Sequence, residues 1–206
     1  MKIAIFGATS ETGKQLVEQA LGAGHEVTAF ARDATKLAMQ HRNLTVVPGD
    51  ALNTGQVESA VRGSEAVLSA LGPKGKPMVM AAESTRNIVN AMEKYGVKRL
   101  VVVSVAGIAV PQDKRGFDLV GGLIKLLLKS VFADRENQLK VLEDSPVEWV
   151  AVRVPRLTND PAKGATTAFF GAASPSQSLT RADLADFMLK QLIEDQWLRQ
   201  SPILRN

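Results

Sequence analysis

The segment Gly7-Ala-Thr-Ser-Glu-Thr-Gly13 carries the clearest chemical signal in the chain. It follows a short apolar run, Lys2–Phe6, and precedes residues of helical period, so it joins a strand to a helix. Gly7 permits a tight turn there, and Gly13 lets the helix pack close to the strand. The N–H groups that open the helix have no intrahelical acceptor and sit at the positive end of its dipole. Two linked phosphoryl groups are the chemistry that suits such an arrangement. The spacing is that of a dinucleotide-binding turn, with Ser10 standing where the middle glycine is usual. The candidate diphosphate contacts are Gly7, Thr9, Ser10, Glu11 and Thr12, with the hydroxyls of Thr9, Ser10 and Thr12 able to donate alongside the amides. A plain strand–helix turn is the alternative.

The tip of the second strand decides which dinucleotide is expected. It reads Phe30-Ala31-Arg32-Asp33-Ala34-Thr35. An acidic residue alone suits the ribose 2′-hydroxyl of NAD, whereas an arginine suits the 2′-phosphate of NADP. Arg32 comes first and Thr35 can donate to the same phosphate, so NADP(H) is the expected cofactor. Asp33 reads as a turn residue or a partner for Arg32, and Arg32 itself could be a solvated surface arginine. Asp50, in Gly49-Asp50-Ala51, can accept from an adenine amino group or simply cap a turn. Leu71-Gly72 lets the backbone pass close to the ribose and diphosphate, with Lys74 and Lys76 flanking that loop. Ser104 ends the fifth strand, where its hydroxyl either orients the reacting groups, as the one candidate catalytic residue, or caps the next turn. After the sixth strand, Pro155 directs the chain over the cofactor. Arg156 then meets an acidic substrate group or pairs with Asp160.

What is missing narrows the chemistry further. A tyrosine with a lysine four residues on would supply a positioned acid for ketone or alcohol chemistry. The single tyrosine, Tyr95, is followed four residues later by Arg99 and precedes a strand rather than following one. Hydride transfer to a conjugated acceptor survives this absence, because an extended π system spreads the incoming charge. With no cysteine, disulfide frameworks, thiolate zinc sites and thiol catalysis are excluded. Two histidines, His25 and His41, argue against an all-histidine metal site, so no metal is expected. Phosphate-loop, zinc-protease and serine-hydrolase motifs are all missing. The net charge of +4 and pI near 9.4 are a mild bias that suits an anionic small ligand and form no nucleic-acid stripe, and composition alone does not separate these readings. The longest apolar run, Leu119–Leu128, is interrupted by Lys125 and is far below the roughly 20 residues of a membrane span. The residues MKIAIFGATS lack a signal-peptide layout, so a soluble cytoplasmic protein is expected.

These residues need a scaffold, and the chain alternates strand-length apolar runs with helical segments. Strands are expected at Lys2–Phe6, Glu26–Phe30, Leu44–Val47, Ala66–Ala70, Lys98–Ser104 and Glu148–Val152, with a short one at Thr166–Phe170. Helices are expected at Glu11–Ala23, Gln56–Arg62, Met78–Tyr95, within Gly116–Asp144, and at Thr180–Glu194, the last opened by a Thr180/Asp183 capping box. The stripe Leu119, Val120, Leu123, Ile124, Leu127, Leu128 and Val131 reads as a core helix, an interfacial membrane helix, a dimer contact or a lid. Gly121-Gly122 makes a joint there plausible. The pattern gives one doubly wound α/β domain over residues 1–206, a mostly parallel sheet with helices on both faces. Its last third, from about residue 105, shapes the substrate pocket.

The runs Lys2–Gly13, Arg32-Asp33, Gly49-Asp50, Leu71-Gly72, Arg86-Asn87-Ile88-Val89 and Trp149–Val152 together resemble the biliverdin reductase B and NADPH flavin reductase group. More broadly, they resemble the atypical short-chain dehydrogenases that include NmrA-like proteins. The resemblance covers nearly the whole chain. It implies a monomeric Rossmann protein, with a dimer left open, that reduces flavins, biliverdins or similar planar acceptors with NADPH and needs neither nucleic acid nor membrane. It places Gly7, Thr9, Ser10, Thr12, Arg32, Thr35, Asp50, Leu71 and Gly72 on the cofactor. Three positions depart from the family: Ser10 replaces a glycine, Val105 a serine and Arg156 a histidine. A non-catalytic NADP(H) sensor of the NmrA type is the alternative function.

Overall fold

A computed structural model describes residues 1–72, 80–113, 128–174 and 176–206. Strands β1 (Lys2–Phe6), β2 (Glu26–Ala31), β3 (Leu44–Pro48), β4 (Ala66–Ser69), β5 (Arg99–Val105) and β6 (Glu148–Val154) run parallel. β10 (Ile203–Arg205) extends this array in parallel, and β8 (Thr167–Phe169) closes it antiparallel, in the order β3-β2-β1-β4-β5-β6-β10-β8. β7 (Arg156–Thr158) and β9 (Ser178–Thr180) form a separate parallel pair. The order reverses beside β1, which places the first turn, at Gly7, at the switch point where doubly wound sheets bind ligands.

Both faces of the sheet are buried, which is why its strands are nearly continuous apolar runs. On one face Ile3, Ile5, Val101 and Val152 pack with Leu16, Val17 and Ala20 of α1 (Glu11–Gly22) and with Leu184 and Met188 of α5 (Arg181–Lys190). On the other, Ala4, Phe6, Val102 and Trp149 meet α2 (Thr54–Val61), α3 (Ala81–Tyr95) and α4 (Lys129–Glu143). Each fully buried leucine or phenylalanine on these faces contributes about 1.5–3 kcal/mol relative to exposure. The stripe expected on α3, Ala81, Thr85, Ile88, Val89 and Met92, is buried in full. That helix stops at Gly96, whose φ of 70° is the left-handed cap a glycine accommodates.

Three differences from expectation have physical causes. The last helix ends at Lys190 rather than Glu194, and β7, β9 and β10 are too short to leave a periodic signal. The Thr180 cap forms, with the Asp183 N–H donating to Thr180 Oγ1 at 3.1 Å. The reciprocal half does not. The Asp183 carboxylate instead accepts from the amides of Lys163 and Gly164 and from Asn206 Nδ2, tying the stretch before β8 and the residue after β10 to α5. Of the long second-half segment, Lys129–Glu143 is helical as expected, with Val131 buried and Leu128 exposed. Lys74, Lys76, Met78 and residues 114–127, including the Gly121-Gly122 joint and most of the apolar stripe, lie outside the described residues. No described helix is long and apolar enough to cross a membrane.

Candidate functional site

β1 delivers the chain to Gly7 at the carboxyl edge of the sheet. Its φ of +75° lies in the left-handed region, and a Cβ there would sit 2.9 Å from the Ala70 carbonyl oxygen. Glycine is therefore required twice over. Gly7 and Ala8 donate to Phe30 O, which pins the turn to β2. At Gly13 an added Cβ would collide with the Gly7 carbonyl, so the first turn of α1 lies directly on the strand's end.

Ser10 is the N-cap of α1, and its Oγ accepts from the Gly13 N–H at 3.0 Å. Its hydroxyl proton points toward Ala70 O at 3.5 Å, a long contact. The oxygen of Ser10 thus serves the helix as its cap, while its O–H makes only that long contact. The amides of Glu11 and Thr12 are left, among the described residues, with no protein acceptor. They are the donors available to an anion at the positive end of α1. Thr9 is half-buried, Thr12 buried and Glu11 exposed around them.

Arg32 is exposed immediately beyond the end of β2. Asp33 caps the 3₁₀ turn Ala34–Lys36, taking the Thr35 N–H at 3.2 Å and the Thr35 hydroxyl at 2.6 Å, with Lys36 Nζ at 3.0 Å from its other oxygen. The Thr35 hydroxyl holds the Asp33 carboxyl below its ordinary value, and Lys36 adds to the effect. Thr35, expected on the 2′-phosphate, donates its hydroxyl to this turn, and the side chains exposed at this corner are Arg32, Thr35 and Lys36.

Gly49 lies against the Phe30 ring, where any side chain would collide, and Phe30 stacks on Phe6 at 4.8 Å between centroids. Asp50 is a turn residue: Oδ1 accepts from Leu52 N at 3.0 Å, while its own N–H donates to Gln56. Its second carboxylate oxygen has no protein donor among the described residues. Ala51 is buried, its carbonyl held by Asn87 Nδ2 at 3.0 Å. Gly72 is exposed, and a Cβ there would meet nothing within 4 Å. Crowding within the protein does not require that glycine, so the open space beside it fits a ligand passing close to the backbone. Gly7, Thr9, Glu11, Thr12, Arg32, Asp50, Leu71 and Gly72 thus gather along one edge of the sheet, and the residues present fit a dinucleotide.

The far side of the site departs further from expectation. Ser104 is 1% exposed, and its Oγ is buried without a hydrogen-bond partner. It lies inside β5, which continues to Val105, with its side chain on the α3/α4 face opposite Arg153 of β6. Among the described residues this hydroxyl is closed off from solvent and left without a partner, at the last-but-one residue of β5. Pro155 is half-buried between β6 and β7, and Arg156 is exposed, in register with Ser178 of β9. Tyr95 stands at the opposite edge of the sheet, its Oη accepting from Arg62 Nη2 at 3.0 Å.

Two buried arginines near this edge were not anticipated. Arg135 on α4 donates to Leu71 O at 2.9 Å and Val103 O at 3.0 Å. Arg153, fully buried, makes a two-pronged ion pair with Asp113 at 2.6 and 2.8 Å and also donates to Ile108 O and Ser201 O. Burial alone would raise the Asp113 carboxyl, but Arg153 and the amides of Val110 and Gly171 outweigh it and hold the group below its ordinary value. The sequence carried a faint signal for each. Arg153 interrupts an otherwise apolar strand on a face that must be buried, and Arg135 falls on the Val131/Leu139/Leu142 stripe of α4.

Comparison with known proteins places this geometry. A family described as NAD(P)H-binding matches residues 7–195. An uncharacterized chloroplastic protein of Arabidopsis thaliana is 31% identical over 176 residues, covering 79% of this chain. The chain spans only 61% of that relative's length, and 48% of an uncharacterized Bacillus subtilis relative. Among solved structures, a short-chain dehydrogenase/reductase from Veillonella parvula in complex with NADP superposes with a TM-score of 0.82 at 21% identity, covering 100% of this chain and 94% of that one. ChuY, an anaerobillin reductase from Escherichia coli O157:H7, gives 0.81 at 21% identity, over 99% and 96% of the two chains. At those identities the structures establish a shared Rossmann-like fold, and the family match establishes the cofactor class. The chain belongs to the NAD(P)H-binding family, carried on a Rossmann-like fold.

Proposed function

We propose that this chain is an NADPH-dependent reductase of a planar conjugated acceptor, such as a flavin or an open-chain tetrapyrrole. The observation that carries this reading is the placement of the only tyrosine. Tyr95 is tied to Arg62 at the edge of the sheet opposite Gly7, so no phenol stands at the site to protonate a ketone oxygen. An acceptor whose π system absorbs charge needs no such acid. The amides of Glu11 and Thr12 hold the diphosphate, Arg32 selects the 2′-phosphate, and Asp50 takes the adenine amino group. When bound, the reduced nicotinamide supplies hydride. Arg156, exposed past β6, meets an acidic group on the acceptor, and the protein acts as a monomer on a small molecule. The anaerobillin reductase fold-neighbour is in keeping with a tetrapyrrole. The test is to follow reduced-nicotinamide absorbance with protein, NADPH, and either FMN or biliverdin. Turnover above the uncatalysed background is expected.

The burial of Ser104 favours a second reading, a non-catalytic NADP(H) sensor. With neither Ser104 nor Tyr95 at the open edge, the site holds coenzyme without a hydroxyl to direct a reaction. Tight NADPH binding with no turnover across flavins and tetrapyrroles selects the sensor and rejects the reductase.

A further inference from the structure

Arg135 is 4% exposed, and among the described residues its guanidinium meets only neutral acceptors: Leu71 O at 2.9 Å, Val103 O at 3.0 Å and Gln138 Oε1 at 3.0 Å. The neighbouring carboxylate does not pair with it. Asp134 instead accepts from the amides of Met80, Ala81 and Ala82, at 2.9, 2.7 and 3.0 Å. It thereby caps α3, whose own N-cap residue, Met80, makes no side-chain bond. Two successive residues of α4 therefore grip the two ends of the stretch between β4 and α3, Arg135 at Leu71 and Asp134 at Met80. Burial pulls the Arg135 guanidinium down to about 10, against the opposing influence of Asp134, which leaves it cationic at neutral pH. Its charge stands at the carboxyl ends of β4 and β5 with no carboxylate hydrogen-bonded to it among the described residues.

The coenzyme's orientation follows from the sheet. With the diphosphate at β1 and the adenosine half over β2 and β3, the other half extends over β4 and β5. The nicotinamide ring is cationic when oxidised and neutral when reduced. A fixed positive charge in a weakly screened interior repels the first and tolerates the second.

We propose that Arg135 is an electrostatic positioning residue that makes this site prefer reduced over oxidised coenzyme, by holding a buried cation, hydrogen-bonded only to neutral groups among the described residues, at the carboxyl ends of β4 and β5. The inference rests on the NADP(H) reading above. It adds a redox-state preference to the choice between NADP and NAD made at Arg32. The same preference expels the oxidised product in a reductase and reports the reduced pool in a sensor.

Calorimetric titrations of the intact chain with NADPH and with NADP⁺ test it, alongside Arg135→Lys and Arg135→Met. The native protein binds NADPH more tightly. In Arg135→Met the ratio of the two affinities collapses by about 5- to 20-fold, the size expected of a charge roughly 10 Å away at intermediate dielectric. Arg135→Lys cannot span two carbonyls, so both affinities fall together, while the retained charge keeps the ratio within about 3-fold. Should Arg135→Met lose both affinities by the same factor, Arg135 only braces the fold and the inference is overturned. Equal affinities in the native protein overturn it with no variant needed, even where Arg135→Met does not fold. Failure of the native chain to bind either form is a different result, which removes the coenzyme reading and the inference with it.

Discussion

The two sides of the sheet handle charge in opposite ways. From β1 to β3 the polar groups at the carboxyl edge are backbone amides together with the exposed Arg32 and the half-buried Asp50, which stand on turns that local residues shape. Beyond β4 the charges are buried and tied over long sequence separations. Arg135 reaches Leu71, Arg153 reaches Asp113, and Asp183 gathers Lys163, Gly164 and Asn206. The first arrangement is pre-organised by geometry alone and tolerates exchange of its side chains. The second makes the fold itself depend on ions that water does not screen. Binding specificity is therefore expected to be adjustable on the first side, and stability to be at stake on the second.

The largest effect belongs to the buried side. Asp113→Asn leaves the fully buried Arg153 guanidinium without its counter-charge, and a loss of about 3–5 kcal/mol is expected in denaturant unfolding. A loss near that of an exposed ion pair, below about 1 kcal/mol, would erase the contrast between the two sides. On the exposed side, Arg32→Ala should cost less than about 1 kcal/mol of stability, the scale of an exposed charged contact, while weakening NADPH by about 10- to 100-fold, the worth of a charge-assisted contact. NADH binding should move little, and equal losses for both would show that Arg32 does not reach the 2′-phosphate.

Acid should separate the two sides next. Asp113 and Asp183 are both held below the ordinary carboxylate value. For each, burial opposes the effect, and Arg153 with amides, or amides with Thr180 and Asn206, overcomes it. A group depressed in the folded state contributes stability that is complete above its unfolded pKa, near 4, and is lost as pH falls through its folded value. Stability should therefore hold from neutral down to about pH 5 and fall steeply below 4. Asp113→Asn should flatten part of that fall; an unchanged acid limb would mean that the Arg153 pair does not drive it. The smallest effect is at Ser10. Ser10→Gly gives up the N-cap at a cost of a few tenths of a kcal/mol and frees the Gly13 amide, so coenzyme should bind slightly more tightly by titration.

The same contrast explains what could be read from the sequence. Glycine spacing, strand runs and the α3 stripe are local patterns, so the doubly wound order and the gathering of Gly7, Glu11, Thr12, Arg32, Asp50 and Gly72 were legible. Ser10 and Thr35 were legible as residue types but not in use. A hydroxyl beside a helix start or a turn aspartate has a closer acceptor or donor than any ligand, and local competition wins. The burial of Ser104 was not legible, because the alternation of a strand decides whether its hydroxyl faces the core or the open edge, and β5 runs one residue further than its apolar pattern. Arg135 and Arg153 were missed because their partners lie tens of residues away, so no window of sequence contains both members of either contact.

The account stands on the two free amides that open α1, which backbone amide resonances of isotope-labelled protein report residue by residue. On addition of NADPH, the Glu11 and Thr12 N–H signals should show the largest shifts in the chain, with Gly7 following and the β7–β9 pair unmoved. Coenzyme that binds while Glu11 and Thr12 stay where they were would contradict it.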